Sequence, residues 1–436
     1  MSRKSTWVCV GIIAFGAASL SAQAAQGPPI GTDPLAQMTR AAATGPALTL
    51  ADAIREAIAN NAELLALREA ATAAATRPAT AGALSPPTLE AEAWQWPINT
   101  LNPTKTQSYM FTMAQELPGK GKRDQQAAVL TADARMSAHE VDARAQQIRA
   151  DVTRAYVELA IARQAAPIYA DASQLLRQMA DAAQSRYAAG RGPQQDALKA
   201  FVELSRLYDD AIDVDAQAQL ATARLDALMG RSPASPIGLL DDLGGPVTLP
   251  DPAALVETAL AGHHEIIGAN LAIARANAEA AAVKSDTKSD YTVRGGYMLM
   301  PQGGDAWLAS IAMTWPGAPW SHKRTDARDA AAAAGISAAK AQLVAAERTR
   351  ALAVQEAWVR ANTAASRVSL IDTSVLPQVA QSLASARIAY ESGRAEFAAL
   401  LDAGKVLLDE RLRRLRAQGE FLLARADLDL AVGSGK

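Results

Sequence analysis

Four histidines, a set of strand-borne methionines, two basic clusters and a doubled Tyr-x-x-Gly-Arg break are the places where chemistry could sit in this chain. His263 and His264 are adjacent, which invites a metal. Adjacent side chains on a helix diverge, so the pair reads instead as surface residues after a helix turn. His139 and His322 stand apart from them. Met110, Met113, Met298 and Met300 offer soft thioether ligands of the kind copper takes. They alternate along strand-like segments, and the competing reading is wall packing. Lys120, Lys122 and Arg123 in "LPGKGKR" and His322, Lys323 and Arg324 in "WPGAPWSHKR" suit phosphate. Their glycine spacing matches no P-loop, which leaves lipid phosphates or a solvated turn. No Ser/His/Asp or Cys/His arrangement for nucleophilic catalysis stands out. The sequence therefore points away from an enzyme, a bound metal or any cofactor.

The bulk numbers agree with a non-enzymatic, helical chain. Of 436 residues, 50% are apolar but only 5% aromatic, and much of the apolar fraction is Ala. That favours helices packed closely along their length. A net charge of −2 gives no footprint for nucleic acid. Residues 1–24 read as a signal peptide, with Arg3 and Lys4 ahead of the apolar Trp7–Leu20 and a cleavage site at Ala22–Ala24. The apolar run is short of the ~20 residues a membrane anchor needs. Cleavage would remove Cys9, the only cysteine. No later segment has the length and apolarity of a transmembrane helix. The mature chain is expected in the periplasm, outside the cell, or in an outer membrane as a β-barrel, whose strands carry only a weak alternating signal.

The elements that must position these residues occur twice. After an N-terminal segment at 25–47, a first repeat spans 48–229, a Pro- and Gly-rich linker spans 230–250, and a second repeat spans 251–433. Each repeat opens with a short helix, "AIREAIANNAEL" and "LVETALAGHHEI", in which Glu63 and Glu265 take equivalent places. Thr49 and Asp251 are N-cap candidates and Pro252 suits a first helical position. A hairpin follows, at about 86–118 and about 288–317. Its strands are expected over Thr88–Trp96, Gln107–Gln115, Tyr291–Met300 and Ala306–Trp315. Trp307 and Trp315 lie on one face of the last strand, ~26 Å apart. That spacing suits aromatic girdles at the two edges of an apolar membrane band, or simply a soluble sheet with two tryptophans. Long helices then cover about 119–229 and about 322–432, with Pro167 and Pro377 expected to interrupt them. Each turns back at a break: Tyr187, Gly190 and Arg191 in the first half, Tyr390, Gly393 and Arg394 in the second. Glycine suits a reversal that demands positive φ.

Two hairpins give four strands, too few to close a barrel, and an open sheet edge is not tolerated in lipid. Membrane strands would therefore require oligomerisation, and three copies would supply twelve. The fold class is mainly α with a small β part, internally duplicated. It is expected as a long antiparallel α-helical barrel plus two β-hairpins that form a 12-stranded transmembrane barrel in a trimer.

The chain resembles the TolC family of outer-membrane efflux channels over about Leu48–Gly433. The likeness is carried by the paired Y-x-x-G-R breaks, "LTLADAIREAIANNAEL", "QELPGKGKR" and "VLPQVAQSLASARIAYESGRAEFAALLDA". "QELPGKGKR" and "YESGRAEFAALLDA" most resemble the heavy-metal branch, many of whose members carry a lipidated N-terminal Cys that this mature chain would lack. The resemblance implies a homotrimer in outer-membrane lipid, extending into the periplasm. It also implies docking on a periplasmic adaptor (membrane fusion protein) and an inner-membrane RND-type pump, with passive conduction of heavy-metal cations. Multidrug efflux or type I secretion remains an alternative, as does a periplasmic coiled-coil adaptor or scaffold. The resemblance further implies that Asp196 and Asp402 line a periplasmic constriction, where three-fold symmetry makes each a ring that attracts cations. Arg191 and Arg394 are their candidate partners in a closed gate; ordinary solvated charge is the competing reading. Tyr187, Gly190, Tyr390 and Gly393 would form the tips where the adaptor docks, and Trp307 and Trp315 the membrane-edge aromatics.

Overall fold

A computed structural model of the chain describes residues 45–233, 235–241, 244–301 and 303–433. The expected signal peptide and most of the segment at 25–47 lie outside the described residues. Helix α1 (Leu50–Asn60) starts where the Thr49 hydroxyl accepts from the Asp52 N–H at 3.0 Å. Asn61 ends α1 and caps α2 (Ala62–Gly82), its side chain accepting from the Leu64 N–H. Strands β1 (Thr88–Trp94) and β2 (Ser108–Leu117) form the first hairpin. Helix α3 (Lys122–Ala188) then runs 67 residues, ~100 Å at ~1.5 Å per residue. Helix α4 (Gln194–Met229) returns alongside it.

The second half repeats this order. Helices α5 (Pro252–Gly262) and α6 (His264–Ser285) precede β3 (Tyr291–Leu299) and β4 (Ala306–Met313). Helix α7 (His322–Leu370) continues through a π-helical turn, Ile371–Val375, into α8 (Leu376–Glu391), and α9 (Phe397–Val432) returns. The two prolines behave differently. Pro167 sits inside α3 without interrupting it, whereas Pro377 is the second residue after the π turn. A wider turn before a proline relieves the clash of its ring with the carbonyl one turn back.

The duplication extends to single hydrogen bonds. The Tyr156 hydroxyl on α3 donates to the Leu48 carbonyl at 2.8 Å. The Trp358 indole on α7 donates to the Pro250 carbonyl at 2.9 Å, 202 positions on in both partners. Gly230 and Gly433 close α4 and α9 with φ of 74° and 78°. Apolar clusters among the described residues hold the helices, and three are the largest. One surrounds Tyr169, Leu176, Leu204 and Phe397; a second surrounds Leu64, Val152, Tyr156 and Leu225; a third surrounds Val354, Ala357 and Leu428. The linker is pinned: Leu48 N–H donates to Leu239 O at 2.9 Å, and Arg163 donates to the carbonyls of Ile237 and Gly238.

The hairpins do not stand apart. They join through β2 and β3 into one four-stranded antiparallel sheet, ordered β1-β2-β3-β4. Three strands end earlier than the sequence suggests, β3 by one residue at Leu299 and the others by two. Gln95 takes a positive φ of 52° and closes β1. β4 stops at Met313, because Pro316 lacks an N–H and Pro-Gly turns the chain, so Trp315 lies beyond the strand.

Candidate functional site

The register sorts the sheet into two unlike faces. Phe111, Tyr297 and Trp307 stand abreast, as do Gln115, Val293 and Ile311, and Leu117, Tyr291 and Met313. With Leu89 and Met113 they make a nearly continuous apolar face. Most of its members are exposed, with Trp307 at 84%, Leu89 at 81% and Ile311 at 75%, while Tyr297 and Gln115 are half-buried. The opposite face carries Glu90, Glu92, Thr112, Arg294 and Ser310, with Arg294 paired to Glu90 at 3.7 Å. So large a bare apolar face is unusual in a water-soluble monomer. Met110 and Met298 are cross-strand partners on the polar face, while Met113 is on the apolar one and Met300 lies past β3. The four methionines are therefore not one ligand set. Trp307 packs edge-on against Tyr297 at 5.2 Å; Trp315 packs against Trp320 at 6.0 Å near the start of α7.

At the far end of the helices, the two breaks are Schellman closures of identical backbone. Gly190 has φ 67° and Gly393 φ 74°. Arg191 N–H donates back to Arg186 O and Arg394 N–H to Ala389 O, both at 2.8 Å. Gly190 and Gly393 donate to Tyr187 O and Tyr390 O, both at 2.9 Å. The side chains part company. Tyr390 is 4% exposed and packs edge-on against Phe397 at 5.5 Å. The Arg186 guanidinium lies 4.6 Å over the Tyr390 ring and donates to the Tyr390 carbonyl, tying the two tips together. Tyr187 is 48% exposed. Burial pushes the Tyr390 phenol above its usual range; Arg186 opposes the shift and the Asp196 carboxylate adds to it. Asp196 therefore belongs to the surroundings of Tyr390.

The expected pairing of Arg191 and Arg394 with Asp196 and Asp402 is not found among the described residues. Arg191 is exposed, and Arg394 donates to the Ser392 hydroxyl at 3.0 Å. Asp402 is exposed and Asp196 half-buried. Sequence proximity does not become an ion pair at either tip among the described residues. Arg186 and Phe397 were missed in the sequence. The one available signal was the unequal residue before each tyrosine, Arg186 against Ala389.

The histidines are also corrected. His263 is fully buried rather than on the surface. It holds the position of Asn61: Nδ1 accepts from the Glu265 N–H at 3.1 Å, which leaves Nε2–H to donate to Leu430 O at 3.2 Å. Burial, then the Arg350 charge and His264, push its pKa down to about 4. His264 packs at 4.0 Å on His263 and bonds Gln146. Both rings are thus used in capping and packing. Among the described residues, no group of three or more His, Cys, Asp or Glu side chains is placed to hold a metal ion.

No family model and no curated protein sequence matches the chain. Solved structures do. The outer-membrane channel OprN matches at 18% identity and TM-score 0.73, over 88% of this chain and 90% of that one. CusC, described for conformational changes accompanying folding and transmembrane channel formation, matches at 15% and 0.72, over 88% and 91%. The outer membrane protein VceC of Vibrio cholerae matches at 17% and 0.71, over 88% and 96%. Likeness at such identities carries the fold. The mainly helical, duplicated architecture with a small antiparallel sheet is the fold of these channels.

Proposed function

We propose that three copies of this chain form an outer-membrane duct that passively conducts substrate from an inner-membrane pump and a periplasmic adaptor to the exterior. One observation carries the reading. A four-stranded sheet with one apolar and one polar face continues into helices up to ~100 Å long. In lipid the apolar face would look outward and the polar face inward. The outer edges of β1 and β4 have no strand partner within the sheet, and lipid does not tolerate that. Pairing β4 of one copy with β1 of the next gives twelve strands and a closed barrel. The matched channels support the location. Expressed with its N-terminal segment in a Gram-negative host, the protein is expected in the outer-membrane fraction with the mass of three chains. Recovery as a soluble periplasmic monomer would overturn the reading and favour a scaffold.

The tips would be the periplasmic end and the adaptor-docking site, with Tyr187, Gly190, Tyr390 and Gly393 shaping the turns. Asp196 and Asp402 would face the three-fold axis as rings of negative charge, which favours cations. With no ion pair to Arg191 or Arg394 among the described residues, these carboxylates are available to a neighbouring copy. The cargo we infer is a heavy-metal cation, supported by the resemblance of "QELPGKGKR" and "YESGRAEFAALLDA" to that branch. Deletion should then raise sensitivity to a heavy-metal salt. Unchanged metal tolerance with raised drug sensitivity would assign the duct to multidrug efflux.

A further inference from the structure

We propose that the helix-proximal end of the sheet carries a binding surface for anionic phospholipid headgroups of the periplasmic leaflet, built from Trp315, Trp320, Lys120, Lys288, Lys323 and Arg324. The proposal rests on the outer-membrane reading above. Leu117, Tyr291 and Met313 stand abreast as the last apolar rung of the sheet. Lys120, Lys288 and Trp315 follow within three residues of that rung. The two tryptophans are 60% and 81% exposed, yet they are held: their rings meet edge-on at 6.0 Å. Ser321 braces the turn between them, its hydroxyl within hydrogen-bonding reach of the Pro316 and Ala318 carbonyls. Indoles fixed at the foot of an apolar face suit the boundary between acyl chains and headgroups.

The charges beside them are of two kinds. Lys122 is paired with Asp290 at 2.8 Å and Arg328 with Asp286 at 2.5 Å. Among the described residues, Lys120, Lys323 and Arg324 are exposed and in no ion pair, and the Lys288 ammonium donates to the Lys120 carbonyl at 2.7 Å. Arg324 and Trp315 line one cleft of about 520 Å³ with Lys122. Asp329 lines it too, without pairing these cations. The other end of the sheet differs: its two loops, 95–107 and 300–305, carry Lys105 and Asp305 as their only charges. Unpaired cations on long stems, gathered beside fixed indoles at one end alone, complement a phosphate-bearing leaflet surface.

The test reconstitutes the purified full-length protein in phosphatidylethanolamine vesicles carrying brominated phosphatidylglycerol or, at the same fraction, brominated phosphatidylethanolamine. Tryptophan quenching that W315F/W320F removes reports this surface. Phosphatidylglycerol is expected to quench it about three-fold more, falling to parity in K120Q/K288Q/K323Q/R324Q and to roughly half the preference in K323Q/R324Q. Equal quenching by the two lipids in the wild type, or a preference the quadruple variant keeps, overturns the proposal while vesicle flotation still shows insertion. Failure of the wild type to float with either vesicle overturns the outer-membrane reading itself, and the lipid surface with it.

Discussion

The two helix reversals share a backbone and differ in everything their tyrosines touch. Both close with glycine at positive φ and the same pair of carbonyl contacts. Tyr390 is sealed under Arg186 and against Phe397, while Tyr187 stands in solvent. The repeat thus encodes a turn, and the neighbour decides its use. One tip becomes an anchor for the other, and the difference rests on Arg186, whose counterpart is Ala389. The same lesson holds near the sheet-side ends of the return helices. Asn61 and His263 cap equivalent helices, but only His263 brings a titratable ring into a buried site.

The largest effect should separate the tyrosines. Tyr390→Ala removes a buried ring and should cost about 3–5 kcal/mol, read as lost hydrogen-exchange protection at both tips. Tyr187→Ala should stay within about 0.5 kcal/mol. Equal effects would break the comparison. A smaller effect concerns the caps. The pKa of His263 falls from 6.5 to about 4 on folding, so the unfolded chain takes the proton first. The stabilisation is whole above pH 6.5 and is lost as pH falls toward 4, by roughly 3 kcal/mol. Protonation would also place a hydrogen on Nδ1 against the Glu265 N–H that it caps. His263→Asn, which installs the cap of the first half, should flatten stability between those pH values; an unchanged slope would assign the pH dependence elsewhere. The smallest effect should show no difference between halves. Gly190→Ala and Gly393→Ala should each cost about 1–2 kcal/mol from the left-handed backbone. An added Cβ at Gly190 meets nothing within 4 Å, and at Gly393 only Arg186 Nη2 at 3.8 Å. Calorimetry showing one of them neutral would mean that its turn relaxes.

Backbone features were the legible part of the sequence. Glycine at positive φ, helical apolar spacing and turn-rich loops are local signals, and they located both breaks, the long helices and four strands. The contacts that give the tips their character are not local. Arg186 and Tyr390 are 204 residues apart, and nothing near either one announces the other. Proximity along the chain misled in two ways. Arg191 and Arg394 lie near Asp196 and Asp402 in sequence, but no ion pair joins them among the described residues. His263 and His264 looked solvated beside Gly262, but the C-terminal turns of α9 cover His263. The joining of the hairpins into one sheet was equally hidden, because β2 and β3 are separated by most of the first repeat.

The central claim is that three copies make a conducting tube closed by charge at the Tyr187 and Tyr390 tips. Planar-bilayer recording of the reconstituted protein tests it most directly. The wild type should show low, cation-preferring conductance, and D196A/D402A should conduct more readily and lose the cation preference, with exposed pairs worth only about 0–1 kcal/mol each. Absence of any conductance in both proteins, or a double variant that keeps wild-type conductance and selectivity, would contradict it.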